Sequence, residues 1–464
     1  MADNITDHLT DHLIPAPHPP RAGGRRPRIA IVSTYDELCG IAGYTRALEQ
    51  QLAPYADITV FDLDQYLLRS PHQRIQRLAD EHIKEIAARL HRFDSVNIQL
   101  EHGTLGRTNR QIARRFQHLA LAAPSLSVTF HTVLLGGPLP WDTLLRLLLT
   151  ANLAGAGRVL GDARRGRILA RGIQGTLRRL QRTKPVSVIV HTKRDMRMMH
   201  DLFGLEQVLH HPLSFIPRAE AQALRARVRR TDFPPLARLP AGGKLIGTFG
   251  FLSAYKGFDT AIQALRFLPE DHHLLIFGGL HPQGIKREEA IDPYVQKLLR
   301  LARIGQSPLD HLRESGVKLT AGGAELAALL ADHPRSLQDR VHFMGALPDE
   351  QFHAAMALCD AAVFPYLEVG QASSGPIAIA LEMGTRIIAS RTAAFRAFAK
   401  YHPDMLEFFD IGNFAELATR ILCPALRPAG VPVLRYDTQS NARLYLEASG
   451  ALLPGLEVQP CAAA

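Results

Sequence analysis

Cysteine and tryptophan are scarce in this chain of 464 residues, which has four of the first and one of the second. Cys39, Cys359, Cys423 and Cys461 lie far apart and form no Cys-x-x-Cys pair, which argues against both a disulfide framework and a thiolate zinc site. Long apolar runs are missing too. The best stretches, Leu119–Leu139 and Leu144–Gly157, are interrupted by His131 and the Gly136-Gly137-Pro138 turn or by Arg146, short of the ~20 apolar residues that a membrane-spanning helix needs. The start of the chain holds Asp3, Asp7 and Asp11 and a Pro/His run ahead of Arg25 and Arg26. That is not the basic, apolar, small-residue order of a secretory signal, so a cytoplasmic location is expected.

Acidic residues are sparse where basic ones are dense. The net charge is +10, but the stretch Glu101–His200 has 17 Lys/Arg against 4 Asp/Glu, a local +13 that leaves −3 for the rest. The basicity centres on Arg158, Arg164, Arg165, Arg167, Arg171, Arg178, Arg179, Arg182 and Lys184. Such a stripe suits nucleic acid, an anionic membrane or a solvated face. No aromatic residue lies between Trp141 and Phe203, which removes the stacking platform that single-stranded nucleic acid uses. Nucleic acid is therefore not an expected partner, whereas an anionic membrane surface met through Arg158–Lys184 is.

What remains is ordinary globular composition, 46% hydrophobic and 21% charged, in a chain long enough for two or three domains. Residues 28–34 (RIAIVST) read as a buried parallel strand, followed by a loop with Gly40 and Gly43 and the helical pattern YTRALEQQL. Further strands are expected at Ile58–Asp62, Ser95–Gln99, Ser127–His131 and Val186–His191, with helices such as Asp80–Leu90 and Gln111–Leu119 between them. A second alternating series runs through strands Lys244–Phe249, His273–Phe277, Val341–Met344, Ala361–Pro365 and Arg386–Ser390. Its helices are expected at Asp259–Leu268, Asp292–Ile304, Asp349–Leu358 and Pro376–Glu382. Alternation of this kind implies α/β architecture, two doubly wound Rossmann-like domains. The expected divisions are a disordered tail (1–26), an amino-terminal domain (27–217), a Pro/Gly linker (218–243), a carboxyl-terminal domain (244–433), a closing helix (434–451) and a tail (452–464).

Ligands of open parallel sheets bind at the carboxyl ends of strands, and three turns there carry suitable chemistry. In FGFLSAYKG a strand ends in a turn with Lys256, which can meet a phosphate as a point charge, and Gly257, which permits close backbone approach. In PYLEVGQASSGPIAIALE, Pro376 suits the first helical position, so the amides of Ile377 and Ala378 and the hydroxyls of Ser373 and Ser374 form an anion site. In YDELCGIAG, Gly40 allows amides to approach a second phosphate, but the spacing is G-x-x-G rather than a dinucleotide fingerprint. Asp62-Leu63-Asp64 reads as a strand terminus rather than a metal motif, so no metal is expected. His131, ending an apolar strand, reads by itself as a structural histidine before a catalytic one.

Taken in order, CGIAGYT, VNIQLEHG, VTFHTV, FGFLSAYKGFDTAIQAL, VHFMGALPDEQF and AAVFPYLEVGQASSGPIAIALEMGTRIIAS resemble the GT-B-fold glycosyltransferases of family 4 (group 1), over roughly residues 28–450. The resemblance implies a retaining, metal-independent hexosyltransferase of polysaccharide biosynthesis, with no cofactor beyond its nucleotide-diphosphate sugar. The donor, UDP- or GDP-linked, would bind mainly to the carboxyl domain and the glycan or lipid-linked acceptor to the amino domain. It makes His131 and Lys256 the catalytic residues. It assigns donor binding to Gly345, Ala346, Leu347, Gln371, Ser373, Ser374 and Gly375, to which the residues themselves add Gly40 and, in place of a family glutamate on the ribose, Glu368 or Glu382 one helical turn beyond Ile379. The family's paired glutamates, eight apart, align on Gln371 and Ile379, and its arginine aligns on Phe251, so the chain resembles a QASSG subtype lacking those groups. Two other readings follow from these residues: a catalytically silent nucleotide-binding partner subunit, and an NAD-linked oxidoreductase, which lacks its glycine fingerprint.

Overall fold

The computed structural model describes residues 25–37, 39–133, 141–150, 152–280, 292–302, 337, 339–370, 373–426 and 430–451. Two six-stranded sheets, parallel throughout their strand pairings, organise them. The first contains β1 (Arg28–Ser33), β2 (Asp57–Asp62), β3 (Ser95–Leu100), β4 (Leu126–Phe130), β5 (Val186–Val190) and β6 (Val208–His210), in the order β2-β1-β3-β4-β5-β6. The second contains β7 (Lys244–Phe249), β8 (His272–Phe277), β9 (Val341–Gly345), β10 (Ala361–Phe364), β11 (Ile387–Ser390) and β12 (Leu406–Phe409), in the order β12-β11-β10-β7-β8-β9. The inner strands β3, β4, β5, β10 and β11 are buried from end to end, as sheets with helices on both faces require. The short strands β6 and β12 are the two that sequence periodicity did not reveal.

The order of each sheet fixes where its ligands can go. In the first sheet the chain leaves β1 for β2 and returns on the other side as β3; in the second it runs β7, β8, β9 and returns beside β7 as β10. These reversals open a crevice at the carboxyl ends of β1 and β3 and another at those of β7 and β10.

The stretch expected to be a linker is folded. Arg218–Arg227 and Pro234–Ala237 are helical, and Ala221, Leu224, Val228, Phe233 and Leu236 join an apolar core that also holds Ile31, Tyr44, Phe249, Phe364 and Tyr445. Arginines and prolines at the exposed positions hid that face from composition. The crossover between the sheets is instead His211–Ile216, buried throughout. It is gripped by Glu382, whose Oε1 accepts from Ser214 Oγ (2.7 Å) and Phe215 N (2.9 Å) and whose Oε2 accepts from Ile216 N (3.1 Å).

The closing helix, Thr438–Ala448, returns to the amino domain and packs on the helix Gly40–Leu52. Tyr445 OH lies 2.9 Å from Thr129 Oγ1, and Asn441 Nδ2 donates to Gln51 Oε1 at 2.7 Å. Arg46 and Asp349 form a further ion pair between the domains at 2.7 Å.

Glu382→Ala should destabilise the protein through the crossover, because the Phe215 and Ile216 amides lose their buried acceptor at ~1–3 kcal/mol each. Burial pushes the Glu382 carboxyl up to about 8 against the pull of its three donors. Since the folded state holds this proton more tightly than the unfolded chain, the residue's contribution is largest in acid and is lost as pH rises through about 8. Urea melts of wild type and Glu382→Gln across that range should show a change in their stability difference as pH rises, on top of the slope that the buried histidines give both proteins.

Candidate active site

The turn after β7 is built around glycine. Gly257 has φ +63° and stands so close to β10 that a Cβ there would lie 1.9 Å from the Pro365 carbonyl oxygen. Gly250 has φ +126°, and its Cβ would meet Lys256 Cε at 3.0 Å. Any side chain at either position would displace the Lys256 turn. Lys256 is 5% exposed and its Nζ donates to Tyr366 OH at 2.5 Å, over the Tyr366 ring (3.9 Å) and near that of Tyr255 (5.0 Å). It has no carboxylate partner among the described residues. Burial without a counter-charge lowers its ammonium to about 7.

From Tyr366 OH a second contact, 3.3 Å, reaches Ser374 Oγ. Ser374 is the cap of the helix Gly375–Glu382, but its hydroxyl does not bond the first turn, and Pro376 fills an N-terminal position that needs no N–H. The structure thus joins Lys256, Tyr366 and an open helix N-terminus at the β7/β10 reversal. A small cavity beside it is lined by Ser373, Ser374, Ile377, His191 and Thr192, bringing both domains to one place.

On the amino side His131 follows β4 and is buried. Its Nε2 lies 2.8 Å from Gln99 Oε1 and its Nδ1 lies 3.3 Å from His191 Nε2, while His191 Nδ1 is 3.0 Å from the His211 carbonyl oxygen. Desolvation, and then the neighbouring His191, hold His131 well below the usual imidazole range; desolvation, opposed in part by the hydrogen bond to the His211 carbonyl, takes His191 down to about 4. Both rings are neutral near pH 7.

Glu101, at the end of β3, accepts from His102 N at 2.8 Å and Thr132 Oγ1 at 2.9 Å, and burial raises its carboxyl. Its charge is felt by Tyr255, whose phenol is raised by burial first and then by Glu101. The two sheet reversals therefore face each other. Glu101, Tyr366 and His191 were not singled out by sequence reasoning. For Glu101 the signal was present, a lone carboxylate closing the apolar strand SVNIQL.

The other expected residues divide. Gly345 (φ +74°) and Ala346 are exposed at the carboxyl end of β9, with Leu347 half-buried after them. Gly40 opens the helix beside β1, with open space where its Cβ would be. Glu368 accepts from Gly370 N and from Ala393 N, capping the helix Ala393–Ala399. Gly375 packs against Phe215. Gln371 lies outside the described residues. Glu382 is a correction: both of its oxygens are engaged by the crossover, so it does not face a donor. Ile379 is buried in the core.

By sequence, the chain matches no family model and no curated protein. Solved structures match it over nearly its whole length. HepE from Anabaena in complex with UDP and glucose covers 92% of this chain and 100% of its own at 13% identity, with a TM-score of 0.52. Sucrose-phosphate synthase from Thermosynechococcus elongatus covers 92% and 95% at 15% identity and 0.53. A UDP-forming α,α-trehalose-phosphate synthase from Burkholderia xenovorans covers 91% and 99% at 12% identity and 0.56. The fold is GT-B. At these identities the likeness extends to the fold and not to individual residues. In this GT-B chain the two domains meet at the cavity lined by His191, Thr192, Ser373, Ser374 and Ile377, with Lys256 reached from Ser374 through Tyr366.

Because Lys256 in the free protein loses its proton at about pH 7, and a bound diphosphate would hold that proton, anion binding should be coupled to proton uptake. Affinity for a diphosphate anion should fall about tenfold per pH unit above that point. Titration calorimetry in buffers of different ionisation enthalpy checks this, and Lys256→Met should abolish the dependence.

Proposed function

We propose that the chain is a retaining glycosyltransferase that moves a hexose from a UDP- or GDP-linked donor to a glycan or lipid-linked acceptor in polysaccharide biosynthesis. The observation that carries the reading is the Lys256–Tyr366–Ser374 constellation, a buried cation without an anion set beside an open helix N-terminus at a sheet reversal. HepE, which shares the fold, has been seen with UDP and with UDP-glucose.

In this reading the diphosphate lies between Lys256 and the amides of Ile377 and Ala378, with Ser373, Ser374 and Gly375 around phosphate and sugar. Gly345, Ala346 and Leu347 meet the base through their backbone. Gly40 and Glu368 complete the donor contacts. As the bond from the anomeric carbon to the phosphate oxygen breaks, Lys256 and the helix amides stabilise the growing negative charge. The acceptor hydroxyl forms its bond on the same face, and its proton passes to the departing phosphate. Neutral His131, its Nε2–H held by Gln99 Oε1, shapes the sugar side of the site, and Glu101 orients the acceptor. Lysine and amides fill the part that a divalent ion plays elsewhere, so no metal is needed.

The donor half is tested by thermal shift. UDP or GDP at ~100 times its dissociation constant should stabilise the protein by about 2.7 kcal/mol, and a melting temperature unmoved by UDP, GDP and ADP alike refutes the site. The chemical half is tested in chelator with a panel of nucleotide sugars. Wild type should transfer sugar, and Lys256→Met should lower turnover by ~10²–10³ with a smaller effect on affinity. Nucleotide binding without transfer or hydrolysis from any donor would leave the silent partner subunit as the reading.

A further inference from the structure

Among the described residues, six of the 20 exposed large apolar side chains fall within one stretch of two consecutive helices. Trp141, Leu145, Leu148, Leu149, Leu153 and Leu160 are 46–87% exposed. In the helix Trp141–Leu149 the first four fall at i, i+4, i+7 and i+8, one continuous face, while Leu144 is the helix's one buried residue. The next helix, Leu153–Gly172, continues the pattern in a graded form. Its face at spacings of three and four begins with Leu153, Gly157 and Leu160 and ends with Arg164, Arg167, Ile168 and Arg171. With Arg110, the arginine end lines a groove of ≈ 560 Å³. None of these four arginines has a carboxylate partner among the described residues.

We propose that this face docks the amino domain on an anionic lipid bilayer, the leucines and Trp141 entering the acyl boundary and the arginine groove holding lipid phosphates. The grading argues for a bilayer rather than a protein partner. A membrane interface presents hydrocarbon at one depth and phosphate at a shallower one, and this face presents leucine and then arginine in the same order along one helix. Unpaired guanidinium forks match phosphate oxygens, and tryptophan favours the headgroup level. Lys184, expected in the basic stripe, does not take part. Its Nζ caps the helix Asn109–Ala122 by donating to the carbonyls of Ala120 and Ala123. The inference deepens the lipid-linked acceptor of the proposed function and rests on that reading only for what the docked protein does there.

Trp141 is the chain's single tryptophan, so its emission reports insertion directly. With vesicles of phosphatidylcholine and phosphatidylglycerol the emission should shift to the blue and the protein should co-sediment; with phosphatidylcholine alone it should do neither. Salt should weaken the binding. Leu145→Glu with Leu149→Glu should abolish the shift, and each of Arg164→Gln, Arg167→Gln and Arg171→Gln should weaken vesicle binding about fivefold. An unchanged UDP thermal shift in the same variants certifies their folding. Equal behaviour with both vesicle types overturns the proposal, as does a blue shift that grows with protein concentration in the absence of lipid, which would make the face a contact between two copies. Vesicle binding without any UDP effect would leave the docking intact and sink the donor reading.

Discussion

Two parallel sheets can face each other across a ligand only if the chain between them is held, and here one carboxyl group does the holding. Glu382, at the end of its helix, accepts from a hydroxyl and two backbone amides of the crossover. Everything in the crevice depends on that grip. It sets the β7/β10 reversal, with Lys256, opposite the β1/β3 reversal, with Glu101. The closing helix reinforces the arrangement from the other side, where Tyr445 meets Thr129. The electrostatics of the site follow from it as well, since Lys256 is buried by the aromatic residues Tyr255 and Tyr366 rather than matched by an acid. A cation held this way is stabilised by a visiting anion far more than one already paired.

Much of the fold was legible because continuous apolar runs such as IAIV and LLIF can be little other than buried strands. What escaped was short or compositionally disguised. The strand VLH at β6 spans three residues, too few for any period. The helix Arg218–Arg227 buries only Ala221 and Leu224 behind a surface of arginine and glutamate.

The site was legible where its chemistry is written in one turn, as for Lys256 and Ser374, and illegible where it depends on two segments meeting. Tyr366 acquires a role only because Gly257 lets the lysine turn lie against β10. Glu382 sits one helical turn beyond Ile379, which made it look available to a ribose; its burial against a crossover more than 160 positions earlier is a tertiary fact. The graded face of the helix Leu153–Gly172 was missed for a related reason. Leucine at one end and arginine at the other cancel in any average taken over the whole helix, and only the exposure of individual residues separates them.

The contact of Gly257 with the Pro365 carbonyl has a mechanical meaning. Two backbones that touch with no side chain between them cannot slide, so the lysine turn and the end of β10 travel as a single piece. Glu382 ties Ser214–Ile216 to the same piece, which pushes any pivot to the amino-terminal side of those residues. The charges of Lys256 and of the helix N-terminus therefore keep a fixed mutual geometry.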